Sequence, residues 1–259
     1  MRIAAGVEYD GSRFCGWQYQ IGQRTVQDDL QTALSSIADH PVTVVTAGRT
    51  DTGVHAACQV VHFDVRAERT PYQWLRGTNT RLPGDISLLW VKEIPEDFHA
   101  RFSAISRSYR YILLNRPTHP ALLRGKVSWN HREIDEAAMR SAGAHLVGRQ
   151  DFSSFRAAGC QAKSPVRDLR HLRIGRFANW MWFDMVADAF LQHMVRNIVG
   201  TLIEVGLGKR PVEWPADVLA ARDRRLAGPT APPDGLYLTS IGYPERFELP
   251  AVAAEVRYW

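Results

Sequence analysis

Residues 42–63 read VTVVTAGRTDTGVHAACQVVHF. Val42, Val44 and Thr46 alternate with their neighbours. Cys58, Val60 and His62 alternate against Gln59, Val61 and Phe63. Period-two patterning on both sides predicts two strands, and the loop between them, Ala47–Ala56, holds Gly48, Arg49, Asp51 and Gly53. Gly48 and Gly53 are expected to let this loop turn tightly. Upstream, Ile3, Ala5, Val7 and Tyr9 alternate as a strand that Asp10-Gly11 ends. Thr25 then caps a helix whose apolar face is Val26, Leu30, Leu34 and Ile37, stopped by His40-Pro41. Downstream, Pro71 opens a second helix with Trp74 and Leu75, Pro83-Gly84 turns, and Ile86, Leu88 and Trp90 form a fourth strand. The order β-α-β-β-α-β is the ferredoxin-like arrangement, with two helices on one face of an antiparallel sheet.

The second half repeats the theme. Tyr109, Tyr111 and Leu113 alternate. Ile134, Ala138 and His145 fit a helix ending near Gly148. Leu169–Ile174 and Trp180–Val186 read as a strand pair turning over Gly175 to Asn179. Leu191, Val195, Ile198, Leu202 and Val205 form a helical stripe closed by Gly206. Leu236–Thr239 is a short last strand. The expected fold class is therefore α+β. It consists of two ferredoxin-like, RRM-like units, residues 1–100 and 101–259, with sheets joined side by side and an active-site cleft between them. The tail after Gly242 has no evident role.

The chain has 259 residues, 45% apolar and 23% charged, as expected of a folded globular protein. No apolar run approaches the roughly 18 residues a membrane span needs, and the start MRIAAGVEYDGSRF lacks the apolar core of a signal peptide. A cytoplasmic protein is expected. Cys15, Cys58 and Cys160 are three cysteines without CxxC spacing, and the nine histidines form no HExxH. Neither disulfide framework nor metal centre is expected. His55, His62, His193 and the cysteines read as structural.

Net charge is +5. Arginines crowd residues 66–124, interleaved with Tyr72, Trp74, Phe102, Tyr109 and Tyr111. Guanidinium suits phosphate, and exposed rings suit bases, so the pattern fits folded RNA.

Asp51-Thr52-Gly53 is the tripeptide of aspartic proteases. Those enzymes need two acids sharing one proton. Here one such tripeptide is present, and the flanking Arg49 and His55 favour an ionised carboxylate. An ionised carboxylate can instead act as a nucleophile at a sugar carbon. No second acid is spaced as a general-acid partner, which calls for a group able to leave unaided, such as uracil.

AGRTDTGVHA occurs in order with YDGSRFCGWQYQ, RGTNTRLPGDI, HARFSAISRSYRY, DFSSFR, FLQHMVRNIVGTL and APPDGLYL. From Tyr9 to Leu238 this series resembles the tRNA pseudouridine synthase A family. Cys15 stands where that family often has an aromatic residue, and Gly84 where a charge can occur. The resemblance implies isomerisation of uridine to pseudouridine at tRNA positions 38, 39 and 40 of the anticodon arm, by a homodimer without organic cofactor. It implies Asp51 as nucleophile, Tyr109 against the target base and Arg196 paired with the nucleophile. Pseudouridine formation moves uracil from an N1–C1′ to a C5–C1′ bond without gain or loss of atoms. The base must first leave its stack. Attack by Asp51 at ribose C1′ or at uracil C6 suits these residues equally. Arg196 lies in an apolar helix stripe, where a buried guanidinium wants a carboxylate. Arg24, Arg49, Arg76, Arg101, Arg107 and Arg110 are expected along the tRNA path, with Asn79 as a polar contact. The competing expectation is a noncatalytic RNA-binding module, which would need neither Asp51 nor Arg196.

Overall fold

The computed structural model describes residues 1–252 and 256–259; residues 253–255, part of the tail, lie outside the described residues. The strands are β1 (Arg2–Tyr9), β2 (Val45–Thr46), β3 (His55–Asp64), β4 (Ile86–Glu93), β5 (Ser106–Asn115), β6 (Ser128–Asn130), β7 (Gly148–Asp151), β8 (Val166–Phe177), β9 (Trp180–Ala187) and β10 (Leu236–Gly242). The helices are α1 (Val26–Ala38), α2 (Pro71–Asn79), α3 (Glu136–Ala144), α4 (Met194–Gly206) and α5 (Trp214–Ala221). The fold is mixed α+β. The chain divides into two compact units, Met1–Ile105 with Tyr237–Val256, and Ser106–Leu236 with Arg257–Trp259.

In the first unit β1 pairs antiparallel with β3, Ile3 opposite Phe63, and with β4, Ala5 opposite Val91. β10 runs parallel to β3, Tyr237 opposite His55. The Thr25 hydroxyl accepts the Asp28 N–H and caps α1, while Thr70 and Gln73 close a reciprocal capping box on α2. Trp74 of α2 meets Phe63 of β3 edge to face at 5.7 Å. β1 is buried on both its faces rather than one. Ala4, Val60 and Trp90 form a cluster with Phe98 and Phe247, so residues 243–252, the part of the tail without an assigned role, include the cover of this face.

β2 is shorter than its alternation suggests. The Val42 and Val44 N–H groups donate to the side chains of Ser35 and Gln31 on α1 instead of to a strand, and both valines are buried there.

In the second unit the order is β5-β9-β8-β7, with β6 parallel to β5. β8 and β9 form the expected hairpin, but its turn is Ala178-Asn179, with Ala178 at φ +50°. Gly175 is not a turn residue. It lies inside β8 opposite Trp182, and a Cβ there would stand 2.2 Å from that indole. α4 is buried along most of its length. Its polar Asn197 is satisfied: the side chain donates to Phe155 O at 2.8 Å and accepts from Thr230 at 2.7 Å. β6, β7 and α5 have no counterpart among the sequence expectations.

Candidate active site

Asp51 sits in the β2–β3 loop and is half-buried. The loop is held by backbone and side chain from several directions. The Tyr9 hydroxyl and Thr50 Oγ1 lie 2.8 Å apart in a buried hydrogen bond. Trp17 N–H donates to Thr50 O at 3.0 Å, and Gly53 N–H to Phe14 O at 3.3 Å. Gln59 donates to Gly48 O at 2.6 Å. Val54 N–H closes the turn on Asp51 O at 3.1 Å. Behind it, Gly11 N–H donates to the His55 ring at 3.0 Å, and that ring stacks on Tyr237 at 4.5 Å. Two glycines make this possible. Gly53 has φ +78°, and Gly16, φ +84°, lies so close that a Cβ would stand 2.8 Å from Thr50 O. Gly48 is different: its φ is not positive and a Cβ would meet nothing within 4 Å, so the turn does not require glycine there. The outcome is a carboxylate whose backbone is fixed before any ligand arrives. A backbone fixed in this way orients its side chain, and positioning lowers the entropic part of a barrier.

The second unit holds Tyr109 and Arg196. Tyr109 lies on β5 opposite Met185, and its ring meets Phe190 edge to face at 5.1 Å. That contact joins the segments SYRY and FLQHMVRN. Arg196 projects from the first turn of α4 and is half-buried. Its Nε donates to Ala231 O at 2.7 Å, while Ala231 N–H donates to Arg196 O at 3.1 Å. Residues 228–231 lie flat on α4 because Gly200 has no side chain; a Cβ there would stand 1.7 Å from Pro229 O. A fixed carbonyl thereby helps to orient this long cation.

The expected RNA contacts are spread over both units and differ in character. Arg49 and Arg76 are exposed. Arg24 holds Asp29 at 2.9 Å and Asp85 through two 2.8 Å bonds, tying α1 to the start of β4. Asn79 donates to Leu88 O at 2.9 Å and accepts Leu88 N–H at 2.8 Å, imitating a strand partner. Arg110 grips Asp184 across β5–β9 at 2.7 and 2.8 Å, and Arg107 donates to Asp188 O. Arg101 lies beside Phe102. Arg24, Asn79 and Arg110 thus have structural tasks that their residue type did not announce. The anchors Tyr9, Phe14, Gly16 and Trp17 were missed as site residues. Their segment was visible as a motif, but periodicity does not say which loop it touches.

Among the described residues, no cluster of three or more His, Cys, Asp or Glu is placed to hold a metal ion, and no helix is long and apolar enough to cross a membrane.

Comparison with known proteins bears on the chemistry. A family model described as tRNA pseudouridine synthase matches residues 5–103 and 142–244. The chain is 53% identical over 259 residues, the whole of both chains, to a tRNA pseudouridine synthase A of Nitrosococcus oceani. It is 51% identical over 257 residues to the protein of that name in Hydrogenovibrio crunogenus, covering 99% of this chain and 98% of the relative. With the Alcanivorax borkumensis counterpart it shares 54% over 250 residues, 96% and 94% of the two chains.

Proposed function

The chain belongs to the tRNA pseudouridine synthase family, and from that premise we propose that it isomerises uridines 38, 39 and 40 in the anticodon arm of tRNA. The observation that carries the reaction is similarity without gaps in coverage, from end to end of both chains. Asp51 is the nucleophile and Arg196 the second catalytic group. Tyr109 stacks against the target base. The first ferredoxin-like unit supplies the aspartate loop, the second the tyrosine and the arginine helix. The fixed Asp51 loop and the anchored Arg196 support these roles, since both hold charge in place before substrate arrives.

The steps balance without a co-substrate. The target uridine leaves its stack. An Asp51 oxygen bonds to C1′ as the N1–C1′ pair departs onto the uracil ring, or adds to C6 as the C5=C6 pair moves towards C5 and O4, after which the N1–C1′ pair departs onto N1. The uracil turns over. C5 then bonds to C1′, the C5 proton leaves, N1 takes up a proton, and the carboxylate is released. Arg49, Arg76 and Arg101, with Arg24, Arg107, Arg110 and Asn79, set the tRNA register through backbone contacts. We further propose a cytoplasmic homodimer, since tRNA is far larger than one subunit's site.

The test is unmodified tRNA transcript incubated with purified protein and no additive. Pseudouridine mapped at positions 38–40 is expected. Binding without product would mark the chain as a noncatalytic RNA-binding protein, and product elsewhere would refute the assigned positions.

A further inference from the structure

Residues 99–103 of the first unit form a turn after β4 in which side chains take the backbone donors. Ala100 N–H donates to His62 Nδ1 at 3.1 Å, and Arg101 and Phe102 N–H both donate to His99 Nδ1, at 3.1 and 3.2 Å. His99 N–H donates to Ser103 Oγ at 3.0 Å, and Ser103 N–H returns to His99 O at 2.9 Å. The Tyr243 hydroxyl donates to Ala100 O at 2.6 Å. Two imidazoles used as acceptors at Nδ1 are neutral rings carrying their proton on Nε2. These hydrogen bonds hold the backbone of the turn, which presents Phe102 to solvent.

The His62 and His99 rings are tilted by 60°, and only His99 and Phe102 stack. His62, buried, lies 4.8 Å from His99, and His99 stacks on Phe102 at 4.3 Å with planes 29° apart. Phe102 is 76% exposed. The Arg101 guanidinium carbon stands 5.6 Å from its centroid. Resting on the functional reading above, we propose that Phe102 is a stacking platform for an unpaired nucleotide of the substrate RNA, with Arg101 on the adjoining phosphate. Every base has a π-face, and a fixed ring loses little entropy when one stacks on it. A protein partner would want a broad apolar patch, whereas this turn offers one ring, one cation and the half-exposed Ile105.

The test compares Phe102→Ala and Phe102→Trp with the parent for affinity to unmodified tRNA transcript across salt concentrations, and for pseudouridine formation. Phe102→Ala is expected to weaken binding about tenfold and lower kcat/KM through KM, with its melting temperature and salt slope unmoved. Phe102→Trp restores affinity. Arg101→Ala is the contrast, lowering the salt slope by about one. Parental affinity in Phe102→Ala, or no rescue by tryptophan, overturns the proposal. So does unchanged tRNA affinity with an altered sedimentation coefficient, which would assign the ring to a protein interface. Phe102-dependent tRNA binding by a parent protein that makes no pseudouridine would sink the functional reading and leave this one standing.

Discussion

At the scale of single residues, the loop that carries one carboxylate is held from several directions. Asp51 stood out in the sequence because the Arg49 and His55 beside its DTG tripeptide favour an ionised carboxylate over the shared proton of proteases and because the surrounding motifs resemble one family. Its supports were not legible. The Tyr9–Thr50 hydrogen bond and the Gly16 approach join segments about forty and thirty-five residues apart, and no local pattern encodes such pairings. Gly16→Ala sets a Cβ 2.8 Å from Thr50 O at a left-handed φ of +84°. It should destabilise by more than about 1 kcal/mol and lower kcat more than it raises KM, measured by urea unfolding and steady-state kinetics. His62 gives a pH prediction. Burial, then the Arg2 cation and His99, push its pKa down to about 4, while Asp64 opposes them. The folded ring stays neutral where the unfolded one, near 6.5, takes a proton. Stability contributed here is present above pH 6.5 and is lost as pH falls towards 4, by up to about 1.4 kcal/mol per pH unit. His62→Asn, which keeps an acceptor for Ala100 N–H but cannot titrate, should flatten that slope in unfolding curves between these pH values.

At the scale of elements, α1, α2 and α4 were the most legible parts. α1 carries both an apolar face and a cap residue, and α2 carries Pro71 at its start with the apolar Trp74 and Leu75, so independent signals agree. The long strands followed from alternation. What failed was local geometry decided by partners distant in sequence. β2 lost Val42 and Val44 because α1 side chains bond their amides. Gly175 looked like a turn but makes room for an indole. The short β6, β7 and α5 hold too few periods to read. Gly175→Ala should therefore cost about 1–3 kcal/mol although alanine suits a strand better than glycine, and thermal unfolding would show it. If the turn reading were right, the cost would be no larger at 175 than at Asn179. Arg24→Ala gives a second check. It removes partly exposed bonds to Asp29 and Asp85, so a loss of about 1 kcal/mol or less is expected, beside any loss of tRNA affinity.

At the scale of the whole molecule, two sheet units divide the proposed chemistry, and the chain returns after the second to complete the first. The sequence left the tail unexplained because a segment that covers a distant sheet face has no period of its own. Phe247 is 2% exposed and meets Phe98 at 5.0 Å, so Phe247→Ala should cost about 3 kcal/mol despite its distance in sequence from Asp51. Net charge of +5 gives tRNA affinity that falls with salt. The central claim is that Asp51 makes and breaks the bond to the extruded uridine. Its most direct measurement is Asp51→Asn assayed in one preparation for tRNA affinity and for pseudouridine. Parental affinity without product is the expected result. Turnover at the parental rate would contradict it.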